Sequence, residues 1–265
     1  FGCGLEIQSP SIRSTNGDAD IQQSTGIINS ALLFHPQTPT YKCTLVFKGN
    51  AEEQVQITFL YFNLYTPNSN AKTDAERIMS TKNYLELTYE VRSTAIEKQP
   101  FSKAPYAFTL QYDFRTDLGL GSMNGERNTT TECYFILFRS SRQKVGNIQS
   151  PNYPGLYPRM IDCYYVFYGV DKEIVVISFE NFDVEGLPTC EDESSDYVLF
   201  SNYQTDDRTN RKFCGQLKPL QPIRSESNYF RMTFKSNSMF DGYGFYAHYQ
   251  FINSGIYTEL EEIAD

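Results

Sequence analysis

The side chains most able to do chemistry in this chain are six cysteines, two histidines and one dense acidic run, Cys190-Glu-Asp-Glu-Ser-Ser-Asp196. Imidazole is the usual proton carrier near neutral pH, so a chain with only His35 and His248 has little room for general-base chemistry. Both histidines read as ordinary surface or strand-edge residues. G-x-S-x-G, H-E-x-x-H and phosphate-binding loop patterns are missing, and no G-x-G-x-x-G follows a strand. The residues therefore argue for a binding protein and against an enzyme.

The cysteines, Cys3, Cys43, Cys133, Cys163, Cys190 and Cys214, are widely spaced, and none forms the C-x-x-C pair of a zinc or redox site. An even set of this kind reads as a disulfide framework, which persists only in an oxidising compartment and so places the chain outside the cell or in a lumen. The glycosylation sequon Asn128-Thr-Thr agrees. Six cysteines admit about fifteen connectivities. Pairing neighbours in order closes loops of 40, 30 and 24 residues, each worth a few kcal/mol, roughly, by chain entropy, and sequential pairing is the expectation.

These residues need elements to position them. At roughly 150 residues per domain, 265 residues make nearly two domains. With 23 Lys and Arg against 32 Asp and Glu, the net charge of −9 excludes a broad nucleic-acid footprint and an anionic membrane surface as partners. Twenty Tyr and twenty Phe without a Trp favour strands. No stretch approaches the roughly 20 apolar residues of a membrane span, and no signal sequence opens the chain, which reads as a mature ectodomain fragment with an acidic tail or linker at its end, Glu259 to Asp265.

Alternating apolar and polar residues predict strands at Thr44 to Phe47, Gln54 to Leu60, Tyr84 to Val91, Ala107 to Asp113, Cys163 to Tyr168, Ile174 to Phe179, Tyr197 to Ser201, Tyr229 to Phe234 and Gly244 to Phe251. The best candidate for a short helix is Ala71 to Ser80. Turn chemistry is densest at Ser150-Pro-Asn-Tyr-Pro-Gly155, where Tyr153 and Tyr157 pin the turn against the sheets rather than stand out as recognition aromatics. The halves echo each other: a cysteine, a proline-bearing turn, a second cysteine before a strand (Cys43-Thr-Leu-Val-Phe, Cys163-Tyr-Tyr-Val-Phe), a β-rich segment and a closing aromatic strand. A repeat of about 130 residues is too long for a solenoid and fits two domains. Short strands at this spacing predict an all-β sandwich or jelly roll.

The second half resembles the CUB domain, an extracellular β-sandwich module. The likeness rests on Cys133, Gly146-Asn-Ile-Gln-Ser-Pro-Asn-Tyr-Pro-Gly-Leu-Tyr-Pro, Cys163-Tyr-Tyr-Val-Phe, Phe182-Asp-Val-Glu, Cys190, Asp196-Tyr-Val, Cys214-Gly and Phe234-Lys-Ser-Asn through Gly244-Phe-Tyr-Ala-His-Tyr. The resemblance implies two CUB-type antiparallel β-sandwiches in tandem: residues 1–115 as a divergent first domain, 116–132 as linker, 133–252 as the second domain and 253–265 as tail. It implies disulfides Cys133–Cys163 and Cys190–Cys214, with Cys3–Cys43 in the first half, where a long insertion, Pro67 to Ser80, replaces the second pair. Phe114-Arg-Thr-Asp-Leu-Gly, Phe179-Glu-Asn-Phe-Asp-Val-Glu-Gly and Phe200-Ser-Asn-Tyr are also similar to invertebrate suppressor-of-lurcher proteins. That likeness implies a synaptic, cell-surface ectodomain that binds an ionotropic glutamate receptor as an auxiliary subunit and alters its gating.

Many CUB domains hold Ca²⁺ at one end of the sandwich, and the matching positions here are Glu185, Asp196 and Asn237, with Asp241 able to compensate for the charge that Asn237 lacks. A hard cation needs several oxygen ligands at about 2.3–2.6 Å, so converging acidic loops are the physical requirement. The other reading of Glu185, Asp192 and Glu193 is a solvated acidic patch, and both stand at this point. Arg208-Thr-Asn-Arg-Lys212 is the one local basic cluster and reads as a soluble hairpin tip. Against the receptor-subunit reading stands a calcium-dependent, ligand-binding CUB pair of a secreted or protease-linked protein of the complement, astacin or growth-factor-binding type.

Overall fold

The computed structural model describes residues 4–10, 21–30, 33, 41–63, 76–91, 107–121, 123, 125–128, 135–187, 189–204 and 211–255. The chain divides into two compact units, Phe1–Gly119 and Leu120–Asp265. Unit 1 carries β1 (Leu5–Gln8), β2 (Ile21–Gln22), β3 (Thr25–Asn29), β4 (Tyr41–Lys48), β5 (Gln54–Asn63), β6 (Arg77–Met79), β7 (Tyr84–Val91) and β8 (Ala107–Arg115), in two sheets ordered β2-β1-β4-β7 and β3-β8-β5-β6. Unit 2 carries β9 (Glu126–Asn128), β10 (Phe135–Arg139), β11 (Val145–Gln149), β12 (Asp162–Tyr168), β13 (Glu173–Asp183), β14 (Tyr197–Ser201), β15 (Arg211–Phe213), β16 (Ile223–Arg224), β17 (Tyr229–Lys235) and β18 (Gly244–Asn253). Its sheets run β9-β10-β12-β17-β14-β15 and β11-β18-β13-β16.

The all-β sandwich expected from the alternation is the fold of each unit, and all nine predicted strands are present. Two details differ. The helix expected over Ala71 to Ser80 is not formed at its described end: Arg77–Met79 is β6, with Ile78 opposite Ile57, because that apolar residue completes a strand pair better than a helical turn could. The sheets are also not wholly antiparallel, since β1 runs parallel to β2 and β4, and β10 runs parallel to β12. Strand β9 lies inside the stretch expected to be linker and pairs with β10.

Alternation fills each core from both sheets. In unit 1, Ile7, Cys43, Leu45 and Phe47 of one sheet meet Ile28, Val55, Ile57, Leu110 and Tyr112 of the other, and the Phe47 and Tyr112 rings lie 5.5 Å apart. In unit 2, Phe138 and Phe167 pack on Tyr249 and Tyr165 on Phe245. Each deeply buried ring of this size removes on the order of 2–3 kcal/mol worth of apolar surface from water.

The repeat extends to irregular details. β5 is bulged between Phe59 and Tyr61 and β13 between Phe179 and Asn181. The Val55 N–H donates to Ser80 Oγ at 2.8 Å, and the Val175 N–H donates to Ser225 Oγ at 2.7 Å, each serine N–H answering to the valine carbonyl. Bulges and reciprocal caps of this kind set where a strand bends and where its neighbour stops. In unit 2 the bulge comes just before the stretch that carries Asp183 and Glu185 to the end of the sandwich.

Candidate functional site

The loops that leave β13, enter β14 and join β17 to β18 meet at one end of unit 2 and bring Glu185, Asp196, Asn237 and Asp241 there. The Val184 bridge to Gly215 sets the turn that presents Glu185. Asp196 is buried, and its backbone N–H donates to the Glu185 carbonyl at 3.0 Å. One carboxylate oxygen of Asp196 accepts from the Tyr157 hydroxyl at 2.6 Å and the other from the Asn237 N–H at 2.6 Å. Burial pushes the Asp196 carboxyl up to about 6; the bonds from Tyr157 and Asn237 pull it back, and the charges of Glu185 and Asp241 push it up further.

Tyr157 joins the parts. Its ring is buried against Phe234, with centroids 5.0 Å apart, and its oxygen also accepts from the Glu185 N–H at 3.0 Å. Burial, followed by the charge of Asp196, holds this phenol far above its ordinary range, so it remains a donor to the carboxylate. The Tyr153 hydroxyl accepts from Asn181 Nδ2 at 2.6 Å, and its ring stacks on Tyr246. Both tyrosines pin the proline-rich turn, as expected from the sequence, but Tyr157 does so from inside the site. Nothing in the spacing pointed to that role, since Tyr157 and Asp196 lie 39 residues apart.

Among the described residues, three polar atoms at this end are buried without a hydrogen-bond partner: Glu185 Oε2, Ser195 Oγ and Asn237 Nδ2. An orphaned, buried carboxylate oxygen beside a second carboxylate is costly unless a cation meets it. The Asn237 amide oxygen accepts from the Met239 N–H at 2.7 Å and retains acceptor capacity. Asp241 is differently placed: its carboxylate pairs with Arg159, Nη2 to Oδ1 at 2.7 Å, so its charge is already answered. Arg159 had no signal in the sequence, being 82 residues from its partner. Among the described residues no three His, Cys, Asp or Glu side chains gather as a metal-binding group. The remaining donors, Glu185, Asp196 and the Asn237 oxygen, are all hard oxygens of the type Ca²⁺ takes.

The acidic run itself divides. Glu191, Asp192 and Glu193 are exposed, whereas Ser195 and Asp196 are buried. Asp192 pairs with Lys212, which holds its carboxyl below the usual range, and the Lys212 ammonium lies 4.5 Å over the Tyr197 ring. Cys190 and Cys214 form a disulfide that ties this loop beside β15. Cys43 and Cys163 are also disulfide-bonded; Cys3 and Cys133, expected to be their partners, lie outside the described residues. Around the acidic centre Met160, Met239, Phe240, Tyr243 and Leu217 are exposed.

Other residues named from the sequence lie elsewhere. His248, on the exposed face of β18, contacts Asn147 Oδ1 at 2.6 Å and Glu180 Oε2 at 3.0 Å. The Asn128 backbone pairs with Phe135 in the β9–β10 ladder. His35, Cys3, Cys133, most of the basic cluster and the acidic tail lie outside the described residues.

Residues 138–249, within unit 2, match the CUB domain family. The chain is similar to the cubilin homolog of Drosophila melanogaster, 28% identical over 113 residues, covering 43% of this chain and 3% of that protein. It is also similar to the dorsal-ventral patterning protein tolloid of the same fly, 34% identical over 108 residues, covering 40% of this chain and 10% of that protein. The chain thus spans only a small part of these relatives, and its match to tolloid is confined to the CUB portion. Among solved structures, the MASP-1 CUB2 domain bound to Ca²⁺ is 28% identical over 43% of this chain and 96% of its own, with a TM-score of 0.35. Among the described residues no helix is long and apolar enough to cross a membrane.

Proposed function

We propose that the chain is a non-catalytic, extracellular protein-binding module, and that it serves as the synaptic, cell-surface ectodomain of an auxiliary subunit that binds an ionotropic glutamate receptor and modulates its gating. The observation that carries the binding reading is the loop end of unit 2, where the buried Asp196 and the half-buried Glu185, with its orphaned Oε2, lie among exposed Met239, Phe240 and Tyr243. Exposed aromatic and Met side chains around a polar centre are the composition of an interaction surface. The receptor as partner is supported by the likeness of Phe114-Arg-Thr-Asp-Leu-Gly, Phe179 to Gly186 and Phe200-Ser-Asn-Tyr to suppressor-of-lurcher proteins. The first of these phrases is a built turn: Arg115 pairs with Asp117 at 2.6 Å, and the Gly119 N–H donates to the Asp117 carboxylate.

In this reading Ca²⁺ is held by Glu185, Asp196 and the amide oxygen of Asn237. When bound it supplies the positive charge that the Glu185–Asp196 pair lacks. Asp196 orients the site through its two accepted hydrogen bonds, Tyr157 keeps its proton towards Asp196, and Arg159 holds Asp241 to the rim. The functional test is mild cross-linking on native membranes, capture with an antibody to this region and mass spectrometry. Stoichiometric glutamate-receptor subunits support the reading. Recovery of a protease or a growth factor instead replaces it with the secreted or protease-linked CUB pair.

A further inference from the structure

One sheet face of unit 2 carries charge of the opposite sign to the chain's net −9. The pairing of β9, β10, β12 and β17 sets two rows of side chains next to each other. In the first row Glu126 stands opposite Leu137, Leu137 beside Val166, and Val166 opposite Arg231. In the second, Arg139 stands beside Tyr168 and Tyr168 opposite Tyr229. Alternate residues of a strand point to opposite faces. The alternate positions here, Ile136, Phe138, Phe167 and Phe230, are buried in the core, so both rows lie on the outer face. Together with Arg127 and Gln204 they line an open cavity of about 530 Å³, within the size range of ligand sites.

The lining joins guanidinium groups to apolar and aromatic surface. Three arginines line the cavity against one carboxylate, and that carboxylate, Glu126, is already held by Arg142 at 2.7 Å. The Arg127 guanidinium donates to the Gly121 carbonyl, and Arg231 Nη1 donates to the Gln204 carbonyl at 3.1 Å, both neutral acceptors. Val166 and Tyr168 of β12 lie between Arg139 on β10 and Arg231 on β17. The Arg139 guanidinium sits 5.5 Å over the Tyr168 ring, which meets the Tyr229 ring edge-on at 5.2 Å. Unit 1 shows that the sandwich does not demand such a face. Phe47 faces Leu85 as Phe167 faces Phe230, and Ile7 lies beside Phe47 as Phe138 lies beside Phe167. Glu6, Gln8 and Glu86 therefore stand where Leu137, Arg139 and Arg231 stand in unit 2. There Glu6 pairs with Lys48 at 2.8 Å and accepts from Gln8, and Glu86 accepts from the Tyr84 hydroxyl at 3.1 Å. The same topology is acidic on this face in one unit and lined by arginines in the other.

We propose that this outer face of unit 2 binds an acidic segment of a protein partner, one in which carboxylates alternate with apolar side chains. The carboxylates meet Arg139 and Arg231, since a planar guanidinium takes a carboxylate through two parallel hydrogen bonds. The apolar side chains cover Val166, Tyr168 and Tyr229. A bounded cavity with an aliphatic and aromatic floor suits a short mixed segment, whereas a long, uniformly charged polyanion calls for an extended basic track. The face extends the protein-binding reading to a second surface, opposite in charge to the acidic loop end, and depends on neither calcium nor the receptor.

The test is isothermal titration calorimetry of the full chain, in chelator, with the capped pentapeptide Glu-Phe-Glu-Leu-Glu. The controls Glu-Ser-Glu-Ser-Glu and Ser-Phe-Ser-Leu-Ser remove the apolar and the acidic groups in turn, and a heparin hexasaccharide stands for a polyanion. The mixed peptide should bind about tenfold or more tightly than either control. Arg139→Glu should weaken it by about tenfold or more with the thermal midpoint nearly unchanged. If that reversal unfolds the chain, Arg139→Gln, which keeps a polar side chain without the charge, decides instead. Glu86→Lys, at the unit 1 position equivalent to Arg231, should leave binding as it was. Equal binding of Glu-Ser-Glu-Ser-Glu means charge attraction without a site and overturns the proposal. Tighter binding of the heparin hexasaccharide, lost in Arg139→Glu, assigns the face to a sulfated polyanion, with the same consequence. Failure of every peptide means that the chain's own residues answer these arginines, and it overturns the proposal too, as does binding that survives Arg139→Glu.

Discussion

Asp196 is the side chain whose environment is hardest to reconcile with an ordinary solvated loop. Its carboxyl is raised from an unfolded value of 3.8 to about 6, so between those values the folded chain binds a proton that the unfolded chain has released. Stability falls with rising pH wherever the native state binds more protons. In chelator, the metal-free chain should therefore lose on the order of 3 kcal/mol from this residue between about pH 4 and pH 6. Glu173, pushed up by burial but brought below its usual value by Lys144, Ser140 and the Val170 N–H together, works the opposite way, and a comparison removes it. The difference in unfolding free energy between the native chain and Asp196→Asn, followed by urea titration from pH 4 to 7, should slope downward; a flat difference would show that Asp196 keeps an ordinary pKa. The convergence of Glu185, Asp196 and Asn237 at one end of unit 2 was expected from the acidic loops and a family resemblance. The roles of Tyr157 and Arg159 were not, because both depend on long-range closure of the sandwich. Gly244 gives a second residue-scale expectation. Its φ of +77° is unfavourable for a side chain, and a Cβ there would strike Ser150 Oγ, which accepts from the Phe245 N–H. Gly244→Ala should cost about 3 kcal/mol, whereas Gly215→Ala, at φ +84° but with its nearest atom at 3.6 Å, should cost nearer 1 kcal/mol by thermal melts.

At the scale of elements, the strands that alternation revealed are the long central ones, because each faces a core on one side and water on the other. β10, Phe-Ile-Leu-Phe-Arg, was hidden because it is mostly apolar, and β3 and β11 because each carries a glycine within five residues. Gly146 is required there: a Cβ would stand 2.7 Å from the Tyr249 ring. β15 was not marked by the sequence either; it pairs with β14, and Cys190–Cys214 ties the chain just before β14 to the chain just after β15. A disulfide closing 24 residues limits the unfolded chain by about 3 kcal/mol. Replacing both cysteines with Ala should lower unit 2 by that amount. It should also raise hydrogen exchange at Arg231 and Thr233 of β17, which face β14, far more than at Phe230 and Met232, which face β12. Uniform loss of protection along β17 would mean that the disulfide holds the unit as a whole and not this strand pair.

Each unit has its own two sheets and its own core, so at the scale of the whole molecule calcium should stabilise one unit and leave the other alone. The two transitions can be assigned in the full chain by equivalent core truncations. Ile57 and Ile177 are both fully buried, the first in unit 1 and the second in unit 2. Ile57→Ala and Ile177→Ala should each lower one calorimetric transition by about 2–5 kcal/mol. A ligand that binds only the folded state at 100 times its Kd contributes about 2.7 kcal/mol, a rise of several degrees for a unit of this size. The transition lowered by Ile177→Ala should therefore rise when millimolar Ca²⁺ replaces chelator, and the one lowered by Ile57→Ala should not move. Glu185→Ala should remove the rise, because the orphaned Oε2 goes with the side chain. Asp241→Ala should keep most of it, because that carboxylate is already committed to Arg159. A rise that survives Glu185→Ala would place the cation away from this end, and no rise in either transition would leave the half-buried Glu185 and the buried Asp196 as neighbouring acids without a metal.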